Sequence, residues 1–333
     1  MFVFPVSRKL TVCQQDTVNT LKQSIFIEIK RTTLSVFYSN DIIFSMLKDI
    51  YMIRGDEIPE ALKEIPKPPK ELYVQGKLPD EGYVYLTVVG ARNHTRYGED
   101  VLNILIKGLV GYPIVIVSGL AHGIDTIAHT LALKNNIKTI AFPGSGLSDK
   151  TLYPASNKNL RDEILKSGGA IISEHEPEFK ATMWSFPERN RLMAGISRAT
   201  LIIEAEEKSG TLITARLALD YNRDLLIVPG PITSELSIGT NKLLRLGATP
   251  ILNANNILEA LGFEAKEKSS EEKIALEDLS DDERKILTLL KDPLARDDIV
   301  RALGKPANEI MSTLALLEIK DLIKEEFGEI RRI

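Results

Sequence analysis

From Tyr83 to about Gly262, short runs of β-branched and aliphatic residues alternate with stretches in which apolar positions recur every three or four residues. The runs predict strands at Val84–Val89, Ile114–Ser118, Thr139–Phe142, Ala170–Ser173, Thr200–Glu204, Leu225–Val228 and Pro250–Leu252. The periodic stretches predict helices at Asp125–Lys134, Asn157–Lys166, Arg189–Ile196, Thr211–Tyr221 and Asn241–Leu246, with another beginning near Gly98. Strand–helix alternation of this length means βαβ units and a parallel sheet, and strands that are apolar almost throughout mean a sheet covered on both faces. The expected fold class is α/β, a Rossmann-like parallel sheet sandwich.

The flanking stretches differ. Residues 1–57 form a divergent N-terminal segment, with β-branched runs at Ser24–Ile29 and Thr32–Phe37 and a short helix expected from Asp41 to Met52. Residues 58–82 are punctuated by Pro59, Pro66, Pro68 and Pro69, which disfavour helix and suggest an extended connector. Residues 263–279 have the Glu-, Lys- and Ser-rich composition of a linker. In residues 280–333, Ser280-Asp281-Asp282-Glu283 is a capping box that opens a helix carrying Ile286, Leu287, Leu289 and Leu290. Helices over Arg296–Leu303 and Ala307–Leu317, parted by Gly304-Lys305-Pro306, precede a hairpin of 322–325 and 329–331 turning at Gly328. Three short helices and a hairpin make a small C-terminal winged-helix domain.

Composition narrows the class. With 333 residues, 44% hydrophobic and 26% charged, the chain is ordinary globular protein of about two folded units. Its single cysteine, Cys13, excludes an intramolecular disulfide and a cysteine-cluster zinc site, and points to a reducing compartment. The longest apolar runs are strand-sized, far short of a membrane span. Met1–Val6 precedes Arg8 and Lys9, the reverse of a signal peptide's order, so the expected location is cytoplasmic. The net charge of −4 is unevenly placed: residues 264–333 hold 13 Lys and Arg against 18 Asp and Glu, and the remainder is near balance. Local patches set the field at a site, so an acidic total leaves nucleic acid open as a partner of the larger part. The tail is a poorer candidate.

In parallel α/β sheets ligands sit beyond the carboxyl ends of the strands. The first run there ends in Gly90-Ala91-Arg92, with Arg96 and Tyr97 close behind, and the second in Ser118-Gly119-Leu120-Ala121-His122-Gly123-Ile124-Asp125. Glycines with small neighbours permit tight geometry, and a helix starting at Asp125 aims free N–H groups at the loop, which suits a phosphate; a glycine-rich turn that binds nothing is the alternative. Later loops bring Tyr153-Pro154 with Asn157-Lys158, then Trp184-Ser185-Phe186-Pro187-Glu188-Arg189-Asn190-Arg191. Two arginines in a first helical turn oppose the helix dipole and ask for an anion, which a bound phosphate or a salt bridge to Glu188 or Glu204 would supply. Arg92, Lys158, Arg189 and Arg191, with Arg96 and His122 further out and Tyr97, Tyr153, Trp184 and Phe186 among them, have the make-up of a single-stranded nucleic acid site, in which charges track the backbone and rings stack on bases. For Trp184 or Phe186 core packing is the expected alternative.

These stretches, with Ala128-His129, Ala194-Gly195, Glu204-Ala205, Ser209-Gly210-Thr211-Leu212-Ile213-Thr214-Ala215-Arg216 and Val228-Pro229-Gly230, resemble the DNA-processing protein A (DprA, or Smf) family over about Ile58–Gly262. Leu279–Ile333 is similar to that family's C-terminal winged helix, whereas the first 55 residues depart from the helical domain its members commonly carry. The resemblance implies a non-enzymatic, homodimeric single-stranded DNA binder, which protects incoming DNA in natural transformation and helps load the RecA recombinase; from the residues themselves no metal and no cofactor is expected. Carried over by motif, the DNA-binding residues would be Arg92, Lys158, Arg189 and Arg191, with Ser118, Gly119, His122 and Gly123 of the loop lining the same pocket. No Gly-x-x-x-x-Gly-Lys-Ser/Thr, Gly-x-Gly-x-x-Gly or His-Glu-x-x-His motif occurs. The enzyme rival is a nucleotide-binding phosphoribohydrolase of the lysine-decarboxylase-like family. There a catalytic Glu follows three residues past a Gly-Thr turn; here Thr214 occupies its place, so the hydrolysis lacks its general acid–base group.

Overall fold

The computed structural model describes residues 48–264, 279–320, 322–326 and 328–332. The strands expected at 24–29 and 32–37 lie outside the described residues, as does most of the helix expected over 41–52, whose last two positions instead begin a strand. The chain separates at Gly262 into two compact units. No helix among the described residues is long and apolar enough to cross a membrane.

The larger unit is built on nine strands: β1 Tyr51–Arg54, β2 Glu71–Gly76, β3 Val84–Val89, β4 Ile114–Ser118, β5 Lys138–Ala141, β6 Ala170–Ser173, β7 Ala199–Ile202, β8 Asp224–Ile227 and β9 Thr249–Pro250. They lie in the order β1-β2-β6-β5-β4-β3-β7-β8-β9. From β6 to β9 every neighbouring pair is parallel. Helices α2 Arg96–Lys107, α3 Ile124–Lys134 and α4 Lys158–Lys166 pack on one another along one face. On the other, α5 Ser185–Ile196 packs against α6 Gly210–Asp220 and against α1 Glu60–Lys63. The five residues of β4 are all buried, Val115 and Val117 beside Leu192, Met193 and Ile196 of α5. This is the covered parallel sheet that the apolar runs require. Helices α7 Ile238–Arg245 and α8 Ala254–Ala260 complete the unit; α8 was not expected, and its start is held by Asn253, whose side chain accepts from the Asn256 N–H at 3.2 Å.

The sheet also corrects the expected connector. Within 58–82, β2 pairs antiparallel with β6 and with β1, so two antiparallel strands extend the parallel sheet. The prolines end before Glu71, and beyond them Leu72 and Val74 alternate with half-buried neighbours, a strand pattern that the Lys- and Pro-rich lead-in obscures. For the site, the decisive feature lies between β3 and β7. The chain winds outward from β3 through β4, β5 and β6, then returns to the other side of β3 as β7. This is the topological switch point, where the loops that follow two adjacent strands part and leave a crevice.

The smaller unit carries α9 Asp281–Leu289, α10 Arg296–Leu303 and α11 Ala307–Ile319. Strands β10 Leu294–Ala295, β11 Ile323–Glu326 and β12 Glu329–Arg332 form a sheet in the order β10-β12-β11. The capping box is present: Ser280 N–H donates to Glu283 at 2.7 Å and Glu283 N–H to the Ser280 hydroxyl at 3.3 Å. Gly304 and Gly328 take positive φ of 63° and 83° at the helix end and the hairpin turn. Ile286, Ile299, Ile310, Leu317 and Ile330 form its core.

Candidate nucleic-acid interface

The glycine-rich loop after β4 is shaped by backbone constraints. Gly123 has φ +74°, and a Cβ there would stand 2.3 Å from the carbonyl oxygens of Ala91 and Arg92, so the loop can approach the β3 loop only with glycine. The Asn157 side chain donates to Leu120 O at 2.8 Å and to the Thr126 hydroxyl at 2.9 Å, tying the loop to the start of α4.

Beneath the loop Arg189 and Asp125 are both buried and attract one another electrostatically. Arg189, only 7% exposed, donates from Nη1 to Gly119 O at 2.5 Å and to Phe142 O, so one guanidinium bridges the ends of β4 and β5. Asp125 accepts from Gly119 N–H at 3.1 Å. Burial lowers the Arg189 pKa to about 10, against the pull of Asp125, and the neighbouring Arg92 lowers it further; the group stays charged at neutral pH. Burial raises the Asp125 pKa, opposed by Arg189 and by hydrogen bonds from the backbone N–H groups of Ala121 and Gly119. Ser118 is fully buried and donates to Val88 O at 2.7 Å. A Cβ on Gly119 would fall 2.1 Å from the guanidinium.

Three of the residues expected to contact DNA are engaged within the fold. Ser118 and Arg189 are buried and brace the loop internally, and Asp125 lies near enough to Arg189 to balance its charge. Arg191 lies about 200° around α5 from Arg189, because each helical residue advances about 100°. It therefore faces away from the crevice, binding the Glu174 carboxylate and donating to Lys67 O at 2.7 Å. Glu204, the other expected partner, instead accepts from the Thr95 N–H at 2.9 Å and from its hydroxyl.

The outer rim does gather as expected. Arg92 is exposed and stands 5.4 Å over the Phe186 ring, which meets the Tyr153 ring at 5.7 Å and 59°. Phe186 lies so close on Gly144 that a Cβ there would sit 2.5 Å from the ring. Arg92, His122, Tyr153, Pro154 and Phe186 line one groove with Gly119 beneath them. Beside it, at the switch point, a cavity of about 280 Å³ is lined by Arg92, Asn93, Asp125, Arg189 and the first turn of α6. Lys158 opens α4, half-buried. Tyr97 donates to Pro229 O at 2.6 Å, and Arg96 approaches Asp100 at 3.9 Å. Trp184 is not core: it is 53% exposed, on the far side of α5's start from Phe186.

The groove can grip a phosphate with Arg92 and offer ring faces to bases. In the cavity Asp125 is held by the loop, Glu206 is exposed in the lining, and Thr214 stands where the rival family needs its carboxylate. Among the described residues no group of three or more His, Cys, Asp or Glu could hold a metal ion.

Comparison with known proteins places this arrangement. Protein Smf of Escherichia coli K12 is 38% identical over 195 residues, 59% of this chain and 52% of that protein, so the chain spans about half the length of that relative. The crystal structure of Streptococcus pneumoniae DNA processing protein A superposes with a TM-score of 0.60 at 32% identity, covering 76% of this chain and 84% of that one. The Helicobacter pylori DNA processing protein A, solved for its single-stranded DNA binding mode, gives 0.56 at 33% identity over 64% of this chain and 95% of that one. Residues 270–328 match the DprA winged helix domain. Residues 49–262, more than half of the chain, match the model of DNA recombination-mediator protein A, and the chain belongs to that family.

Proposed function

We propose that the protein binds single-stranded DNA along the groove at the carboxyl edge of the sheet, without hydrolysing it or any nucleotide. Arg92 and Lys158 neutralise phosphates, His122 and Gly123 shape the loop beneath them, and Phe186 and Tyr153 stack on bases. The observation that carries the reading is the exposed Arg92 guanidinium held over Phe186 beside Tyr153, since stacking faces next to a cation are what an unpaired strand requires and a duplex cannot use. The solved H. pylori relative, studied for its single-stranded DNA binding mode, supports it. Membership of a recombination-mediator family supports the further steps: a homodimer in the cytoplasm protects incoming strands during natural transformation and passes them to a RecA recombinase.

The test is titration of a labelled oligonucleotide with and without free nucleotide. Tight binding to a single strand with no released product is expected. Release of ribose phosphate from a nucleoside monophosphate at an enzyme-like rate, lost in a folded variant altered in the cavity lining at the exposed Arg92 (Arg92→Ala), would overturn the non-enzymatic reading.

A further inference from the structure

The segment between β6 and α5 carries a second aromatic group that the DNA groove does not use. His175 stacks on Phe179 at 4.1 Å and 20°, and Trp184 meets both edge-on at 5.7 and 5.5 Å. The segment is anchored: Gly146 N–H donates to Phe179 O at 2.8 Å and Ser148 N–H to Pro177 O at 3.0 Å. On this fixed base Met183 is 88% exposed and Trp184 53%. Methionine and tryptophan presented together on an anchored segment are unusual on a surface that touches only water, and both are enriched in protein interfaces.

The segment and the first turn of α5 are mainly acidic. Glu176, Glu178 and Glu188 are exposed there beside one exposed lysine, Lys180, while Arg191 is bound to Glu174. Burial holds the His175 pKa below its ordinary value, so the rings are uncharged at neutral pH and leave the acidic field uncompensated. A phosphate backbone would be repelled here. Phe186, two residues on, turns the opposite way to Tyr153 and Arg92, so the two aromatic groups flank the start of α5 with opposite surroundings.

We propose that the Met183–Trp184 patch with its Glu176, Glu178 and Glu188 rim is a docking surface for a second protein, one that presents Lys or Arg beside an apolar side chain. The apolar side chain covers Met183 and the Trp184 face, and the cations meet the three carboxylates and the ring. Because the patch adjoins the DNA groove without overlapping it, such a partner can sit beside a bound strand.

The chain has one tryptophan, so Trp184 is its own reporter. The full-length protein is titrated with a synthetic peptide, Lys-Arg-Leu-Phe-Arg-Lys, and with its counterpart bearing Glu at every basic position. The basic peptide is expected to shift Trp184 emission saturably and the acidic one to leave it unchanged. A Glu176→Lys, Glu178→Lys, Glu188→Lys variant, with unchanged circular dichroism, should bind the labelled basic peptide at least tenfold more weakly. Met183→Ser, a milder change, should also weaken it. Arg92→Ala should leave peptide binding intact while cutting affinity for single-stranded DNA, which separates failure here from failure of the DNA reading. No emission response to the basic peptide, or equal binding by the triple variant, overturns the proposal. A tenfold loss of single-stranded DNA affinity in Trp184→Ala would also overturn it, by assigning the patch to DNA.

Discussion

Replacing Arg189 by methionine separates an internal brace from a DNA contact. The substitution roughly preserves the length of the apolar stem but removes the charge that neutralises the fully buried Asp125 and the donor shared by Gly119 O and Phe142 O. Deleting a buried cation that leaves a nearby buried carboxylate uncompensated and two carbonyls without their donor costs about 3–5 kcal/mol. In a domain of this size each kcal/mol moves the midpoint by about 2–4 °C, so a loss of roughly 6–20 °C follows. The companion variant Arg189→Met with Asp125→Asn removes the orphaned charge and should recover part of that loss, though not the two unpartnered carbonyls. The assay is thermal and urea unfolding, with oligonucleotide affinity measured on the folded fraction well below the midpoint. If Arg189→Met melts with the wild-type protein yet binds single-stranded DNA tenfold more weakly, the guanidinium serves DNA and the brace is refuted.

Other perturbations follow from the same geometry. Arg92→Ala removes an exposed cation and should weaken single-stranded DNA binding while changing stability by less than about 0.5 kcal/mol, checked by anisotropy and urea unfolding. Gly119→Ala forces a Cβ to 2.1 Å from Arg189 and should lower the melting midpoint although it deletes no contact. The buried His129 has its pKa lowered to about 3, so the unfolded chain takes a proton near pH 6.5 that the folded one refuses; this group should cost stability as pH falls from 7 to 5, by about 2 kcal/mol. The raised pKa of Asp125 works in the opposite sense, so the loss is read as the difference from His129→Asn in parallel urea titrations. Truncation after Gly262 should leave DNA affinity unchanged, because α11 carries Glu309 and Glu318 and no Lys or Arg; a tenfold loss in a folded remainder of unchanged oligomeric state would make the winged helix a DNA-binding element.

How much of this was legible in the chain depends on what each residue's neighbours contribute. Strands β3, β4 and β6 coincide with their apolar runs because a doubly covered sheet leaves few polar positions, here Thr87, Ser118 and Ser173, to blur the boundary. β2 escaped because it is an antiparallel strand near the edge with polar positions, and the prolines before it dominate the local pattern. Arg189 and Arg191 read alike in sequence, as cations at a helix start, yet helical phase sends one into the β4–β5 junction and the other toward Glu174. The partners, Asp125 and Glu174, lie on other elements, 64 and 17 residues away, where local reasoning does not look. The spacing of Arg189 and Arg191 held the signal: residues two apart cannot share a helix face. For Trp184 the sequence left a place in the nucleic-acid site or in the core open, and it takes neither: its neighbours Met183 and Glu188 are exposed and its ring partners come from the preceding segment.

Whether the groove holds unpaired strands is decided by one titration. A labelled oligothymidylate and a duplex of equal length are each titrated with the full-length protein over a range of salt concentrations. A groove in which Arg92 and Lys158 each neutralise one phosphate gives a slope of log K against log salt of about −1.4, with the single strand bound more tightly than the duplex at every concentration. Affinity independent of salt, or equal for strand and duplex, would contradict it.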